Sequence, residues 1–206
     1  MGIATDERLA LCDLLEELGP DCPTLCEGWD TYDMAAHLVT RDRRPDAGPG
    51  LVLGVFHPYT ELLERRRRAG TPYERLVEQI RAGAPIYTPL RFEALNVHEY
   101  FVHHEDVRRA NGRGPRPADP ALDMVLWKDL KRMGPFMTRG VGKIGLDLTT
   151  PSGEEMRLRS GSPSVRLRGA VPELFLYLFG RKDAAEVEID GPSDAVAQLA
   201  AARMGP

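Results

Sequence analysis

Residues 96–109, NVHEYFVHHEDVRR, place three histidines and three acids within nine consecutive positions. Histidine nitrogens and carboxylate oxygens are ligands that zinc accepts. If this segment is helical, side chains four positions apart lie on one face. Glu99 and His103 then share a face, whereas His98 and His104 are each rotated by roughly 100° from the adjacent member of that pair. The spacing therefore predicts Glu99 and His103 as a pair of candidate metal ligands.

Two ligands make a weak site, so a third has to come from elsewhere in the chain. His37, in MAAHL, is the candidate because its neighbours are small or apolar. A core histidine that hydrogen-bonds a backbone carbonyl, or Asp33 one turn earlier, explains the same pattern. Glu99 and His103 could equally be a solvated helical pair, and the residue types leave these alternatives open. Asp106 could hydrogen-bond the nitrogen of His103 that does not bind metal.

The first part of the chain has the apolar spacing of helices. This spacing, with the capping and terminating residues, predicts helices over residues 5–20, 30–44, 59–70, 71–83, 91–112 and 119–134, and a loop over residues 45–54. Asp30 followed by Asp33 resembles a capping box at the start of the second helix.

After about residue 142 the pattern changes to alternation of apolar and polar residues. Strands are predicted at 145–150, 155–160, 164–169 and 185–190, with helices at 171–181 and 192–204. The predicted fold class is therefore α+β. A bundle of four to five helices at residues 1–140 precedes a small α+β domain at residues 145–206, with the boundary near residues 138–145.

Composition excludes several classes of protein. The chain has 206 residues, 42% of them hydrophobic, and a formal net charge of −4, which is unlike a general nucleic-acid binder. No apolar run approaches the ~20 residues of a membrane helix, and the N-terminus does not resemble a signal peptide. Its three cysteines, Cys12, Cys22 and Cys26, do not form a disulfide framework. These features predict a cytoplasmic monomer or homodimer without membrane or nucleic-acid partners.

Two segments resemble signatures of a known family. LCEGWDTYDMAAHL is similar to the L-C-x-G-W…D…A-A-H-L signature of the DinB-like, mycothiol-dependent maleylpyruvate isomerase family, including its actinobacterial members. EYFVHHEDVRRA resembles the family's second signature, E-x-x-x-H-x-x-D. Residues 167–199 resemble the family's small second domain, which is similar to sterol carrier proteins. The resemblance covers nearly the whole chain.

The resemblance implies a metal site and a co-substrate. His37 matches the family's first metal-binding histidine, and Glu99 and His103 match its carboxylate and second histidine. A divalent ion, usually zinc, would be bound in the bundle with a position open to water or substrate. The resemblance also implies mycothiol, a sugar-linked thiol, as the co-substrate. Helical spacing, rather than the resemblance, makes Asp106 and Asp33 the expected partners of the histidine ligands.

Two functions follow from these expectations. The first is a metal-dependent enzyme that joins mycothiol to a small electrophilic substrate, or isomerises that substrate through reversible thiol addition. The alternative is a non-catalytic protein in which the metal is structural or absent and the C-terminal domain binds an apolar ligand. An exchangeable metal position distinguishes the enzyme from the binding protein.

Overall fold

The computed structural model describes residues 2–44, 57–88 and 96–205. The predicted loop at 45–54 and the predicted start of a helix at 91–95 lie outside these ranges. Within them the chain forms eight α-helices and one four-stranded sheet, so the α+β class is confirmed. No helix of the described part is both long enough and apolar enough to cross a bilayer.

The elements follow the predicted order along the chain. The helices are α1 Ile3–Leu18, α2 Thr31–Arg43, α3 His57–Gly70, α4 Tyr73–Arg81, α5 Val97–Ala110, α6 Pro120–Met137, α7 Val171–Leu178 and α8 Ser193–Ala201. The strands are β1 Gly145–Thr149, β2 Glu155–Arg159, β3 Ser164–Arg168 and β4 Glu188–Asp190. Two short 3-10 segments, Arg139–Val141 and Lys182–Ala184, complete the described elements.

The chain divides into two compact units, Met1–Gly114 and Pro115–Pro206. This division comes before α6, whereas the sequence placed it after α6, near residues 138–145. Helix α6 packs against α7 and β2, which explains the difference. A methyl group at Gly134 of α6 would collide with Leu158 of β2, so the two elements approach closely. Because these contacts involve α6 itself, the helix belongs to the C-terminal unit.

Five helices form the described part of the N-terminal unit. Helix α1 packs against α4 and α5, and α2 packs against α3 and α4. Leu11, Met34, Leu76 and Phe101 are fully buried and come from four of these helices. The polar and charged side chains on α2 and α5 that share this interior need partners, because unpaired buried polar groups are destabilising.

A mixed sheet is the framework of the C-terminal unit. The strand order is β2-β1-β3-β4; β1 is parallel to β3, and the other neighbouring pairs are antiparallel. Leu146 and Leu148 of β1 are in register with Val165 and Leu167 of β3, and all four are buried. Helix α7 is also largely buried, as expected for the core of a small domain.

The connector between the units should be more sensitive to proteolysis than the boundary predicted from sequence. Residues 113–119 have no helix or strand and are half-buried or exposed. Thr138, Val141 and Ile144, in contrast, are buried. Brief digestion with a protease of broad specificity should therefore cut within residues 113–119 before it cuts within residues 138–145. Mass spectrometry of the first fragments checks this order, and early cleavage at 138–145 beside an intact connector would contradict it.

Candidate metal centre

The structure brings His37 of α2 together with Glu99 and His103 of α5. Oε1 of Glu99 lies 3.4 Å from Nε2 of His37 and 3.4 Å from Nε2 of His103. Each residue offers one ligand atom, and these three atoms all lie within 4.8 Å of one another. Helical spacing explains why Glu99 and His103 share a face. The approach of His37 depends on packing between helices.

These separations fit a divalent ion. Zinc–nitrogen and zinc–oxygen distances of about 2.0–2.1 Å in a tetrahedral site place neighbouring ligand atoms about 3.3 Å apart. The two separations of 3.4 Å that involve Glu99 match that value. Two histidines and a carboxylate also form a ligand set that zinc accepts, so the side chains present could hold such an ion with little rearrangement.

Each histidine has a carboxylate on its other ring nitrogen. Nδ1 of His37 lies 2.8 Å from Oε1 of Glu64, and Nδ1 of His103 lies 3.0 Å from Oδ2 of Asp106. A proton on Nδ1 donates to the carboxylate and leaves the lone pair on Nε2 to face Glu99. Carboxylate–histidine–metal arrangements of this kind orient the ring and raise its basicity as a ligand.

The partner expected for His37 was Asp33, and the structure places Asp33 elsewhere. Asp33 completes the predicted capping box with Asp30 at the start of α2. Its Oδ1 also lies 2.6 Å from Nη1 of Arg68. Glu64 occupies the position beside His37 that sequence reasoning gave to Asp33. Glu64 was missed because a glutamate on a charge-rich helix such as α3 has no local signal that distinguishes it from a solvated residue.

Arg41 lies behind Glu99 and was not predicted as part of the site. Its Nε is 3.2 Å from Oε1 of Glu99, and its Nη1 lies 3.0 Å from Oδ1 of Asp42 and donates to Oδ1 of Asn96 at 2.9 Å. Tyr100 donates to the second oxygen of Asp42 at 2.7 Å. This buried network fixes the guanidinium beside the carboxylate.

The charges of the site favour an ionised Glu99. Burial by itself raises the pKa of Glu99, but the Arg41 guanidinium and the hydrogen bonds from His103 and His37 hold that pKa well below its usual range. Burial lowers the pKa of His103, yet hydrogen bonds to Asp106, Cys26 and Glu99 raise it well above the ordinary value. Burial also lowers the pKa of His37, but its hydrogen bonds to Glu64 and Glu99 raise that pKa above the ordinary value. Glu64 is the strongest of these partners.

Further residues surround the three candidate ligands. The Trp29 ring lies 5.0 Å from the His37 ring, measured between centroids, and the Cys26 thiol donates to Oδ2 of Asp106 at 3.4 Å. His104 faces away from this cluster, and its Nδ1 lies 3.1 Å from Oε2 of Glu7 in α1. His103 and His104 therefore point in different directions, in agreement with the rotation predicted for consecutive helical residues.

A cavity of about 290 Å³ lies beside Trp29 and Glu64, which both contact His37. Its lining consists of Glu27, Gly28, Trp29, Asp33, Ala36, Glu61, Glu64 and Arg65. Four carboxylates and one guanidinium give this space an acidic character. A neutral or cationic group suits it better than a multiply charged anion.

No family model, curated protein or solved structure matches this chain. The resemblance to the DinB-like family therefore stays a prediction.

Replacing Glu64 should weaken metal binding. Glu64→Ala removes the carboxylate that accepts from His37, and changes of this kind typically lower metal affinity about 10–100-fold. Glu61→Ala is the matched control, because Glu61 is on the same helix and pairs with the exposed Arg65 at 3.2 Å. Competition with a chromophoric zinc chelator measures both affinities. Equal zinc affinity in Glu64→Ala and wild type would remove Glu64 from the site.

Zinc should stabilise the protein more strongly as pH rises. Without metal, the raised pKa values of His37 and His103 contribute stability that is fully present below about 6.5 and is lost at higher pH, as each folded-state pKa is passed. Glu99 acts oppositely: its lowered pKa contributes stability above about 4.3 that is lost in acid. Zinc requires the unprotonated imidazoles, so its stabilisation increases over the range in which the metal-free protein loses the histidine contribution.

The measurement is the Tm with zinc and with a chelator, recorded from about pH 5 to about pH 8. The difference between the two Tm values should widen with rising pH in the wild type. It should stay small throughout in His103→Ala. A constant difference across the range in the wild type would contradict proton–metal competition at these histidines.

Proposed function

We propose that this protein is a cytoplasmic, metal-dependent enzyme that uses mycothiol to modify a small electrophilic substrate, by S-transfer or by isomerisation. The observation that carries the proposal is the convergence of His37, Glu99 and His103 on one point, with a carboxylate behind each histidine. The proposal includes a DinB-like bundle as the N-terminal unit and a sterol-carrier-like C-terminal unit. The family assignment is supported by the order of the two sequence signatures along the chain.

The number of ligands favours catalysis over a structural role. Structural zinc is usually closed by four protein ligands, whereas catalytic zinc has three and an open position. A bound divalent ion would supply Lewis acidity and lower the pKa of a thiol that entered that position. His37, Glu99 and His103 are the three protein ligands in this proposal, and no protein cysteine is required as nucleophile.

The chain's own residues set the charge and orientation of the site. Glu64 and Asp106 hold the Nδ1 protons, so both Nε2 lone pairs are directed inward. Arg41 keeps Glu99 ionised and fixes its position. The ligands therefore sit on two helices, α2 and α5, and are preorganised by hydrogen bonds, which keeps the cost of ordering them low when substrate binds.

Both reactions begin with the same bond. The thiol loses its proton, and the sulfur forms a bond to the electrophilic carbon of the substrate. In S-transfer the sulfur stays attached, while the substrate gains a proton or loses its leaving group. In isomerisation the adduct rotates about the former double bond, and the thiol is eliminated again. The acidic cavity beside Trp29 and Glu64 favours a substrate that is neutral or cationic near the reacting carbon.

The test combines metal analysis with turnover of a generic electrophile in the presence of mycothiol. His37→Ala and His103→Ala should lose both bound metal and activity. His98→Ala is the matched control on α5, because His98 belongs to neither group of potential metal ligands among the described residues. Cys12→Ser and Cys22→Ser should retain activity because the external thiol supplies the sulfur.

Two results would overturn the proposal. Full turnover after complete removal of metal would exclude a metal-dependent reaction. About one tightly bound ion per chain without turnover of any electrophile tested, and without exchange by added thiols, would favour the non-catalytic alternative. Circular dichroism of each variant confirms that a loss of metal or turnover does not reflect unfolding.

A further inference from the structure

The opposite edge of the His103 ring faces a second group of potential ligands. Oδ2 of Asp106 lies 3.0 Å from Nδ1 of His103 and 3.4 Å from Sγ of Cys26. Ligand atoms of these three residues all lie within 4.8 Å of one another. Asp106 is fully buried, and Cys26 and His103 are half-buried. The group is separate from Glu99 and His37, which face Nε2.

Backbone hydrogen bonds hold Cys26 in this position. The N–H of Leu25 donates to the carbonyl of Asp106 at 3.2 Å, which ties the turn before α2 to α5. The N–H of Cys26 donates to Oγ1 of Thr24 at 3.1 Å, and the carbonyl of Cys26 accepts from the N–H of Trp29 at 3.0 Å. The thiol is therefore part of an ordered turn that is directed at a buried carboxylate.

We propose that Cys26, His103 and Asp106 form a second metal site, which binds a thiophilic divalent cation through Sγ, Nδ1 and Oδ2. A thiolate ligand favours soft and borderline ions over hard ones. Tetrahedral coordination at about 2.3 Å to sulfur and about 2.1 Å to oxygen separates those atoms by about 3.6 Å. The observed separation of Sγ and Oδ2, 3.4 Å, is within a few tenths of that value.

The balance of charge and protons also fits a cation. The cation displaces the thiol proton, and a proton on His103 is held at Nε2, which lies 3.4 Å from Oε1 of Glu99. Two positive charges enter; one proton leaves if His103 starts as the neutral imidazole, and two leave if it starts as the imidazolium. The thiolate and the Asp106 carboxylate together then neutralise the ion. A cluster without net charge is easier to bury than a charged one.

A hydrogen bond alone is a weaker explanation for Cys26. A thiol is a poor donor, so a cysteine is not the residue best suited only to orient Asp106. A thiol is, however, a strong metal ligand once its proton is displaced. Because a neutral imidazole has a single lone pair, His103 serves either this site or the site with His37 and Glu99.

The test uses Cd²⁺ as the probe and follows its thiolate charge-transfer absorption in the ultraviolet. Cd²⁺ added to the full-length protein should produce this band, which saturates at about one equivalent per chain because the proposed site contains one cysteine. Cys26→Ser should abolish the band. Cys22→Ser is the matched control, because Cys22 is also half-buried and its thiol donates to the carbonyl of Leu18 at 3.3 Å. It should retain the band.

His37→Ala separates this inference from the proposed function. It removes a ligand of the first site and leaves the second intact, so the Cd–thiolate band should persist even if turnover is lost or was never present. Absence of a band in the wild type, or an undiminished band in Cys26→Ser, would overturn the second site. If Cys22→Ser loses the band and Cys26→Ser keeps it, the ion binds Cys22 rather than Cys26. That result would also overturn the second site.

Discussion

The candidate site depends on the contacts of the Glu99 carboxylate. It lies within 3.4 Å of both imidazoles and 3.2 Å from Arg41, so one anion faces three groups that are or can become cationic. Without it, His37, His103 and Arg41 would repel one another whenever the histidines were protonated. With it, the three residues can share a buried space between α2 and α5.

Buried ionisable groups need a partner of opposite charge elsewhere on α2 and α5 as well, because each helix buries polar residues beside apolar ones. His104 pairs with Glu7, and Glu105 accepts from Arg108 and Arg109. Such pairs compensate the buried charges, which is the condition for burying them at all. The helices thereby place ionisable side chains in the interior of the N-terminal unit, where their geometry is better defined than on a loop.

The position of α6 illustrates how packing determines domain organisation. Its apolar spacing resembles that of the preceding helices, and nothing in that spacing identifies the surface it covers. The close approach of Gly134 to Leu158 joins it to the sheet of the C-terminal unit. The change from helical spacing to alternation in the sequence marks the start of the strands. In this chain the strands begin one helix after the division between the units.

Local patterns in the sequence determined the order and type of the elements, the capping box at Asp30 and the shared face of Glu99 and His103. Those features depend on residues close together in the chain and on the fixed periods of helix and strand. Tertiary structure decided which carboxylate meets His37. Glu64 lies 27 positions away and Glu99 lies 62 positions away, whereas the nearer Asp33 turns to Arg68. Helix packing brings distant side chains together, and no short-range spacing encodes that choice.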